Sequence, residues 1–201
     1  MKKTLLLIAC FFLIGAYSYG QMNTGSLFAS ATGNFDLSLY SDKDMDTDIK
    51  DNHTSFSINP KAGYFIKNRI GVGGMIDFSA SKLKYDSGDE YNSTSFIIGP
   101  FARYYVEYGS IIPFAEVGVG VGSEKQVQKS AEFTSESKHS QTHVTLGAGA
   151  DLFLNEFVAL EGMIQYFWRK QKPTSEGATG SGHASSGINV NVGLAIYFGS
   201  I

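Results

Sequence analysis

Apolar residues recur at every second position through most of this chain, which is the period of a β-strand. Almost no stretch has the period of a helix. The alternation runs through eight segments, 25–40, 53–66, 70–85, 93–106, 111–127, 139–154, 157–171 and 184–198. Most of them reach the roughly 9–11 residues of a tilted transmembrane strand. The sequence therefore predicts an all-β fold of eight strands.

The connections between these segments alternate in length. Short turns are predicted at 67–69, 107–110 and 155–156. The longer, polar connections are 41–52, 86–92, 128–138 and 172–183. Consecutive strands joined by short links pair most readily as antiparallel neighbours. The pattern predicts an up-and-down meander with turns at one end and long loops at the other.

One face of every predicted strand carries no charged residue, whereas the opposite face holds charges, many glycines and several aromatic residues. In a soluble sandwich the uncharged face would be the core, but in a membrane barrel it would meet lipid. Aromatic residues near the ends of that face favour the membrane, because barrels place aromatic girdles at both interfaces. These residues are Phe56, Tyr64, Phe96, Tyr104, Tyr166, Trp168 and Phe198.

A sheet in a bilayer can leave no strand edge unpaired, so we expect the first and eighth strands to pair. The interior of an eight-stranded barrel is narrow enough for side chains to fill. Pro60, Pro100 and Pro113 lie inside predicted strands, where proline cannot donate to the ladder, and a β-bulge at each would reconcile them with it. The predicted fold is a closed antiparallel eight-stranded up-and-down transmembrane β-barrel.

Charged residues fall on the predicted inner face near the middle of several strands. In an interior of low dielectric constant, such charges need partners of opposite sign. We therefore predict a lumen charge network of Lys61, Asp77, Arg103, Glu116, Asp151, Glu161 and Arg169.

The first twenty residues have the pattern of a secretory signal peptide. Two lysines precede an apolar run over 5–16, and this run is too short to span a bilayer. We predict cleavage between Gly20 and Gln21, which leaves one barrel domain over 21–201. The single cysteine, Cys10, falls in the removed segment, so the mature chain would form no disulfide.

Charge and motif spacing make several kinds of site unexpected. The formal net charge is −3 and lysine and arginine form no cluster, so nucleic-acid binding is not expected. The acidic stretch 42–48 lacks the glycine and terminal glutamate of a calcium loop. His139 and His143 lie four residues apart on a strand, too far apart to clamp one metal readily. We expect neither a metal site nor a cofactor.

The last predicted strand carries a motif of its own. Asn191, Gly193, Ile196 and Phe198 follow the order polar, x, Gly, x, x, apolar, x, aromatic, with 199–201 after them. This motif resembles the C-terminal assembly signal of bacterial outer-membrane barrels. The mature chain looks like a small outer-membrane barrel of the porin-like, outer-membrane-protein-A/X/W type. The signal peptide, ending in Gly-Gln, resembles those of Bacteroidetes proteins.

The resemblance implies a location in the outer membrane of a Gram-negative cell, with periplasmic termini and extracellular long loops. It implies outer-membrane lipids, lipopolysaccharide and the barrel assembly machinery as partners of a monomeric barrel. The first function hypothesis is a non-enzymatic barrel whose loops serve envelope integrity, adhesion or recognition. The second is a narrow porin-like channel for small or apolar solutes.

A third hypothesis is a lipid A-modifying hydrolase. His183 and Ser185 share a face of the last strand and resemble the His-x-Ser motif of lipid A deacylase barrels. Those enzymes need a carboxylate after the serine, and no Asp or Glu follows Glu176 in this chain. Ser186 also stands where that motif has asparagine. We therefore expect no catalytic residue.

Overall fold

A computed structural model describes residues 22–44, 47–85, 88–106, 111–130, 133–174 and 182–199, with the backbone alone described over 35–44 and 47–53. The predicted signal peptide over 1–20 and its cleavage site at Gly20 and Gln21 lie outside the described residues. So do the side chains of the acidic stretch 42–48.

Eight strands form a closed barrel in which every strand pairs antiparallel with its neighbours in sequence. The strands are β1 Leu27–Asp44, β2 Thr47–Lys67, β3 Ile70–Lys84, β4 Glu90–Tyr105, β5 Ile111–Lys129, β6 Thr134–Phe153, β7 Val158–Pro173 and β8 His183–Phe198. β1 pairs with β8 from Leu27 opposite Phe198 to Gly33 opposite Val192. The predicted fold and its closure are confirmed. Within the described ranges, no helix is long and apolar enough to cross a bilayer.

Several strands are longer than the sequence pattern predicts. β1 continues to Asp44 and β2 begins at Thr47, while β5 continues to Lys129 and β6 begins at Thr134. The two predicted loops at these places are therefore largely strand. Antiparallel pairing needs only backbone donors and acceptors, so a hairpin in water can continue with polar residues on both faces. The apolar alternation marks where the lipid-facing surface ends and not where the strand ends.

The uncharged face of each strand points away from the barrel axis. Exposed fractions there reach 62% for Leu146 and 71% for Ile188. The predicted girdle aromatics are all exposed, from Trp168 at 38% to Tyr104 and Phe198 at 51%. A continuous apolar surface of this extent is unsuited to water and suits lipid.

Glycines on the inner face make room for an aromatic ring. Phe28 is 1% exposed. A Cβ atom on Gly71 would lie 2.7 Å from this ring, and a Cβ atom on Gly63 would also overlap it. The absence of a side chain at both positions lets a large ring occupy the narrow interior.

The three prolines inside strands are accommodated without β-bulges. The β1–β2, β3–β4 and β5–β6 registers pass through Pro60, Pro100 and Pro113 respectively without a shift. The register shift in the described strands lies between Phe65 and Lys67. A proline needs only to have its ring nitrogen at a place where no ladder donor is required.

A side-chain donor stands in for the missing proline amide beside Pro60. The β2–β3 ladder skips Asn59 and Pro60, and the side-chain Nδ2 of Asn59 donates to the Ile76 carbonyl over 2.8 Å. At Pro113 the carbonyl keeps its ordinary role as an acceptor, and the Val106 amide donates to it over 2.8 Å. Both ladders therefore continue past the proline in their normal register.

Candidate functional site

Four charged side chains from four strands meet inside the barrel, and we call them the ion-paired layer. Lys61 Nζ on β2 donates to Glu116 Oε1 on β5 over 2.5 Å. Arg103 on β4 donates to Glu116 Oε2 through Nε and Nη2 over 2.9 and 2.6 Å. It also donates to Glu161 on β7 through Nη1 and Nη2 over 2.7 and 3.0 Å. All four side chains are fully buried.

The ion-paired layer is electrically balanced and spans the lumen. It contains two cations and two carboxylates, which compensates charges that would be strongly disfavoured alone in a low-dielectric interior. Lys61 and Glu116 belong to strands that are not neighbours in the sheet, so their contact crosses the barrel. Side chains therefore fill the lumen at this level.

Next to the ion-paired layer, on the side of the short turns, lies an aromatic layer. Its rings are at most 3% exposed and belong to Phe28, Phe65, Tyr105, Phe114 and Tyr197. Buried Phe101 precedes Arg103 on β4 and packs edge-on against Phe28 from the level of the ion-paired layer. The Arg103 guanidinium carbon lies 3.9 Å from the centroid of the Phe114 ring. This distance is well within the range of a cation–π interaction. The two layers are thus one continuous packing unit.

A chain of hydrogen bonds connects the ion-paired layer to a third carboxylate. Arg103 Nη1 donates to the Tyr105 hydroxyl over 3.2 Å, and the hydroxyls of Tyr105 and Tyr197 are 3.1 Å apart. The Tyr197 hydroxyl donates to Asp151 Oδ2. Asp151 lies opposite Glu161 in the β6–β7 register. Arg103 binds one carboxylate of this pair and Tyr197 binds the other.

The segment before β1 packs against the turn side of the lumen. Met22 is 6% exposed and belongs to the same buried cluster as the aromatic layer. Its carbonyl accepts from the Arg69 amide over 3.1 Å. Thr24 donates to Asn68 Oδ1 through its amide over 3.0 Å and through its hydroxyl over 2.9 Å. These contacts fix the segment against the β2–β3 turn.

A second buried carboxylate cluster lies on the loop side of the ion-paired layer. Glu124 is 7% exposed. It accepts from the Ser93 hydroxyl over 2.7 Å and from Gln126 Nε2 over 2.8 Å. It also accepts from the side-chain amides of Gln141 and Gln171. Four neutral donors thus solvate this carboxylate without a cation.

Glu124 is not among the lumen charges predicted from the sequence. The uncharged face of its predicted strand 111–127 can be followed only to Val121, so Glu124 falls in a part of that strand with no apolar face to define the inside. One signal was present: Glu124 and Glu116 are eight positions apart in β5, and an even spacing places both on one face of a strand.

A cavity of about 240 Å³ opens on the loop side of the ion-paired layer. Its charged lining residues among the described ones are Asp77 and Arg169. Most of the remaining lining is neutral and polar, namely Asn34, Ser55, Ser57, Asn59, Ser79, Ser81, Ser93, Gln165, Asn189 and Asn191. The inner half toward the loops is therefore hydrophilic, and the inner half toward the turns is packed with rings.

The structure brings four of the seven predicted lumen charges together as the ion-paired layer and places the other three elsewhere. Asp151 is bound by a tyrosine hydroxyl. Asp77 Oδ2 lies 3.9 Å from His143 Nδ1, too far for a hydrogen bond. The Arg169 guanidinium lies 5.6 Å from the Phe167 ring centroid. Asp77 and Arg169 face the cavity without joining the network.

The residues of the predicted assembly signal lie on both faces of β8. Asn191 is 7% exposed and lines the cavity. Ile196 and Phe198 are 41% and 51% exposed on the lipid-facing side. A Cβ atom on Gly193 would overlap the carbonyl oxygen of Ala31 on β1. The motif thus lies at the seam where the barrel closes.

The other candidate residues form no recognisable reactive site in the described part of the chain. His183 is exposed and Ser185 half-buried. Neither makes a hydrogen bond to the other or to a described carboxylate. His139 and His143 belong to no group of three potential metal ligands among the described residues.

Comparison with known proteins identifies the family. The model of the family described as "Outer membrane protein beta-barrel domain" matches residues 6–198. A search of curated proteins finds no match. The chain is similar to the outer membrane protein OprG from Pseudomonas aeruginosa, with 15% identity, TM-score 0.56, and coverage of 91% of this chain and 100% of that one.

A second similar structure is a major outer membrane protein from Thermus thermophilus. It has 13% identity and a TM-score of 0.51, and the match covers 86% of this chain and 99% of that one. At these identities the likeness concerns the fold alone. The family match extends over nearly the whole chain. This chain therefore belongs to the outer membrane protein beta-barrel domain family and is a protein of the outer membrane.

Proposed function

We propose that the chain is a non-enzymatic barrel that displays its long hairpins and loops at the cell surface, where they serve envelope integrity, adhesion or recognition. The observation that carries this proposal is the filling of the lumen. The ion-paired layer, the aromatic layer and Met22 follow one another along the barrel axis. A barrel filled in this way leaves the polar hairpins as the surface available for interaction.

Lysines on the outer wall support an orientation with the loops outside and both termini in the periplasm. They follow the girdle aromatics toward the loop ends and point outward, namely Lys82, Lys84, Lys125, Lys138, Lys170 and Lys172. Glu90 and Glu136 neutralise part of this charge. A cationic band just beyond the apolar belt suits the phosphates of lipopolysaccharide, because lysine binds phosphate as a point charge.

The remaining proposals concern the oligomeric state, the surrounding lipid and the assembly of the barrel. β1 and β8 pair with one another from Leu27 to Gly33, so the sheet closes on itself within one chain and we propose a monomer. The apolar outer wall contacts outer-membrane lipids. The barrel assembly machinery reads the final strand through Asn191, Gly193, Ile196 and Phe198.

The orientation is tested by cysteine labelling of intact cells, since the sequence after residue 20 contains no cysteine. We expect Ser135→Cys, exposed near the loop end of β6, to react with a membrane-impermeant maleimide in intact cells. Lys67→Cys, exposed at the turn end of β2, serves as the matched variant. It should react only after the outer membrane is permeabilised. Labelling of Lys67→Cys alone in intact cells would reverse the proposed orientation.

A narrow channel is the second candidate function, and the loop-side cavity is the observation that favours it. The cavity of about 240 Å³ gives a small solute a polar entrance. Passage further along the axis would require the bonds of Arg103 to Glu116 and Glu161 to break. A channel would therefore need a rearranged state of the ion-paired layer.

Conductance in planar lipid bilayers separates the two candidates. For the closed barrel we expect no current steps, because buried paired charges and rings fill the lumen. A 16-stranded porin, which has an aqueous channel, serves as the control for insertion and detection. Reproducible steps from the wild-type chain, absent from protein-free detergent, would favour the channel.

An enzymatic role receives no support from the arrangement of His183 and Ser185. General base catalysis needs the histidine within hydrogen-bonding reach of the serine and held by a third group. Neither contact is present in the described part of the chain. The proposal accordingly assigns no catalytic residue and no cofactor.

A further inference from the structure

Arg169 and Asp77 differ from the other described charges of the lumen in having no hydrogen-bond partner. The ion-paired layer satisfies Lys61, Arg103 and both of its carboxylates. Glu124 accepts four hydrogen bonds from neutral donors. Among the described residues, the cavity therefore contains the two charged groups that the fold has left unsatisfied.

Arg169 offers donors to the cavity. Among the described residues, its buried Nε has no hydrogen-bond partner, and its guanidinium lies 5.6 Å from the centroid of the Phe167 ring. An arginine presents a planar fork of donors that matches a carboxylate or a phosphate. A cavity-facing guanidinium without an acceptor is thus suited to an anionic group.

Asp77 offers an acceptor on the β3 side of the same cavity. Its Oδ2 lies 3.9 Å from Nδ1 of His143, which is beyond hydrogen-bonding distance. In the described structure, no nitrogen of Arg169 lies within 4.0 Å of an oxygen of Asp77. Two opposite charges thus face one cavity without neutralising each other directly. A single molecule with both charges would satisfy each of them.

We propose that this cavity binds a small zwitterionic solute, with its anionic group on Arg169 and its ammonium group on Asp77. The amides of Gln165, Asn189 and Asn191 supply neutral donors and acceptors between the two charges. The volume of about 240 Å³ lies below the roughly 300–1,000 Å³ of pockets for drug-sized ligands. The ligand is therefore of amino-acid size.

Two sources present this chemistry, a free amino acid and an ethanolamine phosphate headgroup of a lipid. Both combine an anion with an ammonium group, and the experiment distinguishes them by their probes. L-alanine represents the free amino acid and phosphoethanolamine represents the headgroup. Binding to the purified barrel in detergent tests the site independently of the orientation and function proposed above.

Isothermal titration calorimetry compares L-alanine with N-acetyl-alanine, which lacks the ammonium group, and with alaninamide, which lacks the carboxylate. We expect each derivative to bind at least about tenfold more weakly than L-alanine, because a hydrogen bond to a charged group is lost. The stronger of the two parent probes, L-alanine or phosphoethanolamine, identifies the source.

Two variants assign the charges to the two ends of the ligand. Arg169→Gln should weaken L-alanine binding at least about tenfold and remove the difference between L-alanine and alaninamide. Asp77→Asn should remove the difference between L-alanine and N-acetyl-alanine. Lys67→Gln and Glu156→Gln change a charge at the turn end of the barrel, away from the cavity, and serve as matched controls with unchanged binding. A denaturing gel of unboiled and boiled samples verifies that each variant is folded, because a closed barrel changes its mobility only after heating.

The proposal is overturned by three results. The first is the absence of binding by both parent probes to folded wild-type protein. The second is equal binding of the parent and both derivatives, which would leave the charges without a role. The third is tighter binding of neutral glucose than of either zwitterion, since this would identify a site for polyols in the same cavity.

Discussion

Replacement of Arg103 by leucine is expected to lower the free energy of unfolding of the barrel by about 3–5 kcal/mol, the range found when one partner of a buried ion pair is removed. Arg103 is the centre of the ion-paired layer, with bonds to both Glu116 and Glu161. Glu116 would keep Lys61 as its partner. Glu161 would be left as a buried charge with no cation bonded to it, and this is the main source of the loss.

The measurement is unfolding by guanidinium in detergent, followed by the fluorescence of Trp168, the one tryptophan of the chain. The double variant Arg103→Leu/Glu161→Gln is the informative control, because it removes the orphaned charge. It should be more stable than Arg103→Leu alone. If the two variants unfold at the same denaturant concentration, the loss comes from packing against Phe114 and not from an uncompensated carboxylate.

The division of this chain into an inner and an outer face could be predicted from the sequence. The period of two determines which side chains share a face, and the uncharged face identifies the lipid side. Leu146 and Glu116 illustrate the result, since the first is 62% and the second 1% exposed. Closure followed from the physics of the bilayer, in which an open strand edge is not tolerated.

The loop ends of the strands could not be predicted in the same way. Between Lys125 and Lys138, the ladder continues through polar residues that have no apolar face. Glu136 bonds to Lys125 over 2.8 Å and lies 3.5 Å from Lys138, so charge pairing accompanies the hairpin into water. Where neither face of a strand contacts lipid or a core, the hydrophobic pattern does not show where the strand ends.

The contacts of the lumen charges depend on geometry that lies outside the sequence pattern. Whether a side chain points inward follows from its odd or even position along the strand. Which charge it meets across the lumen depends on the stagger of the strands around the barrel. Lys61 reaches Glu116 on a strand three positions away around the wall, while Arg169 bonds to no carboxylate among the described residues. Sequence reasoning identified seven inward charges but missed Glu124, and it could not determine which of them meet.

Replacement of Gly193 by alanine is expected to weaken the seam between β1 and β8 by about 1–3 kcal/mol or more, the range for overpacking in a close-packed site. The added Cβ atom would overlap the Ala31 carbonyl and lie 2.6 Å from Thr32 Cα. Both atoms belong to the backbone of β1, so they cannot move aside as a flexible side chain could. The paired part of this seam is short, from Leu27 to Gly33 on β1.

Gly162→Ala is the matched control, because a Cβ atom there meets nothing within 4 Å and β7 is the other neighbour of β8. We expect its stability to change by no more than about 0.5 kcal/mol. Refolding in detergent and assembly in cells then separate two roles of Gly193. A loss in both settings follows from the steric clash. Normal refolding in detergent with failed assembly in cells would contradict the clash and favour recognition of Gly193 by the assembly machinery.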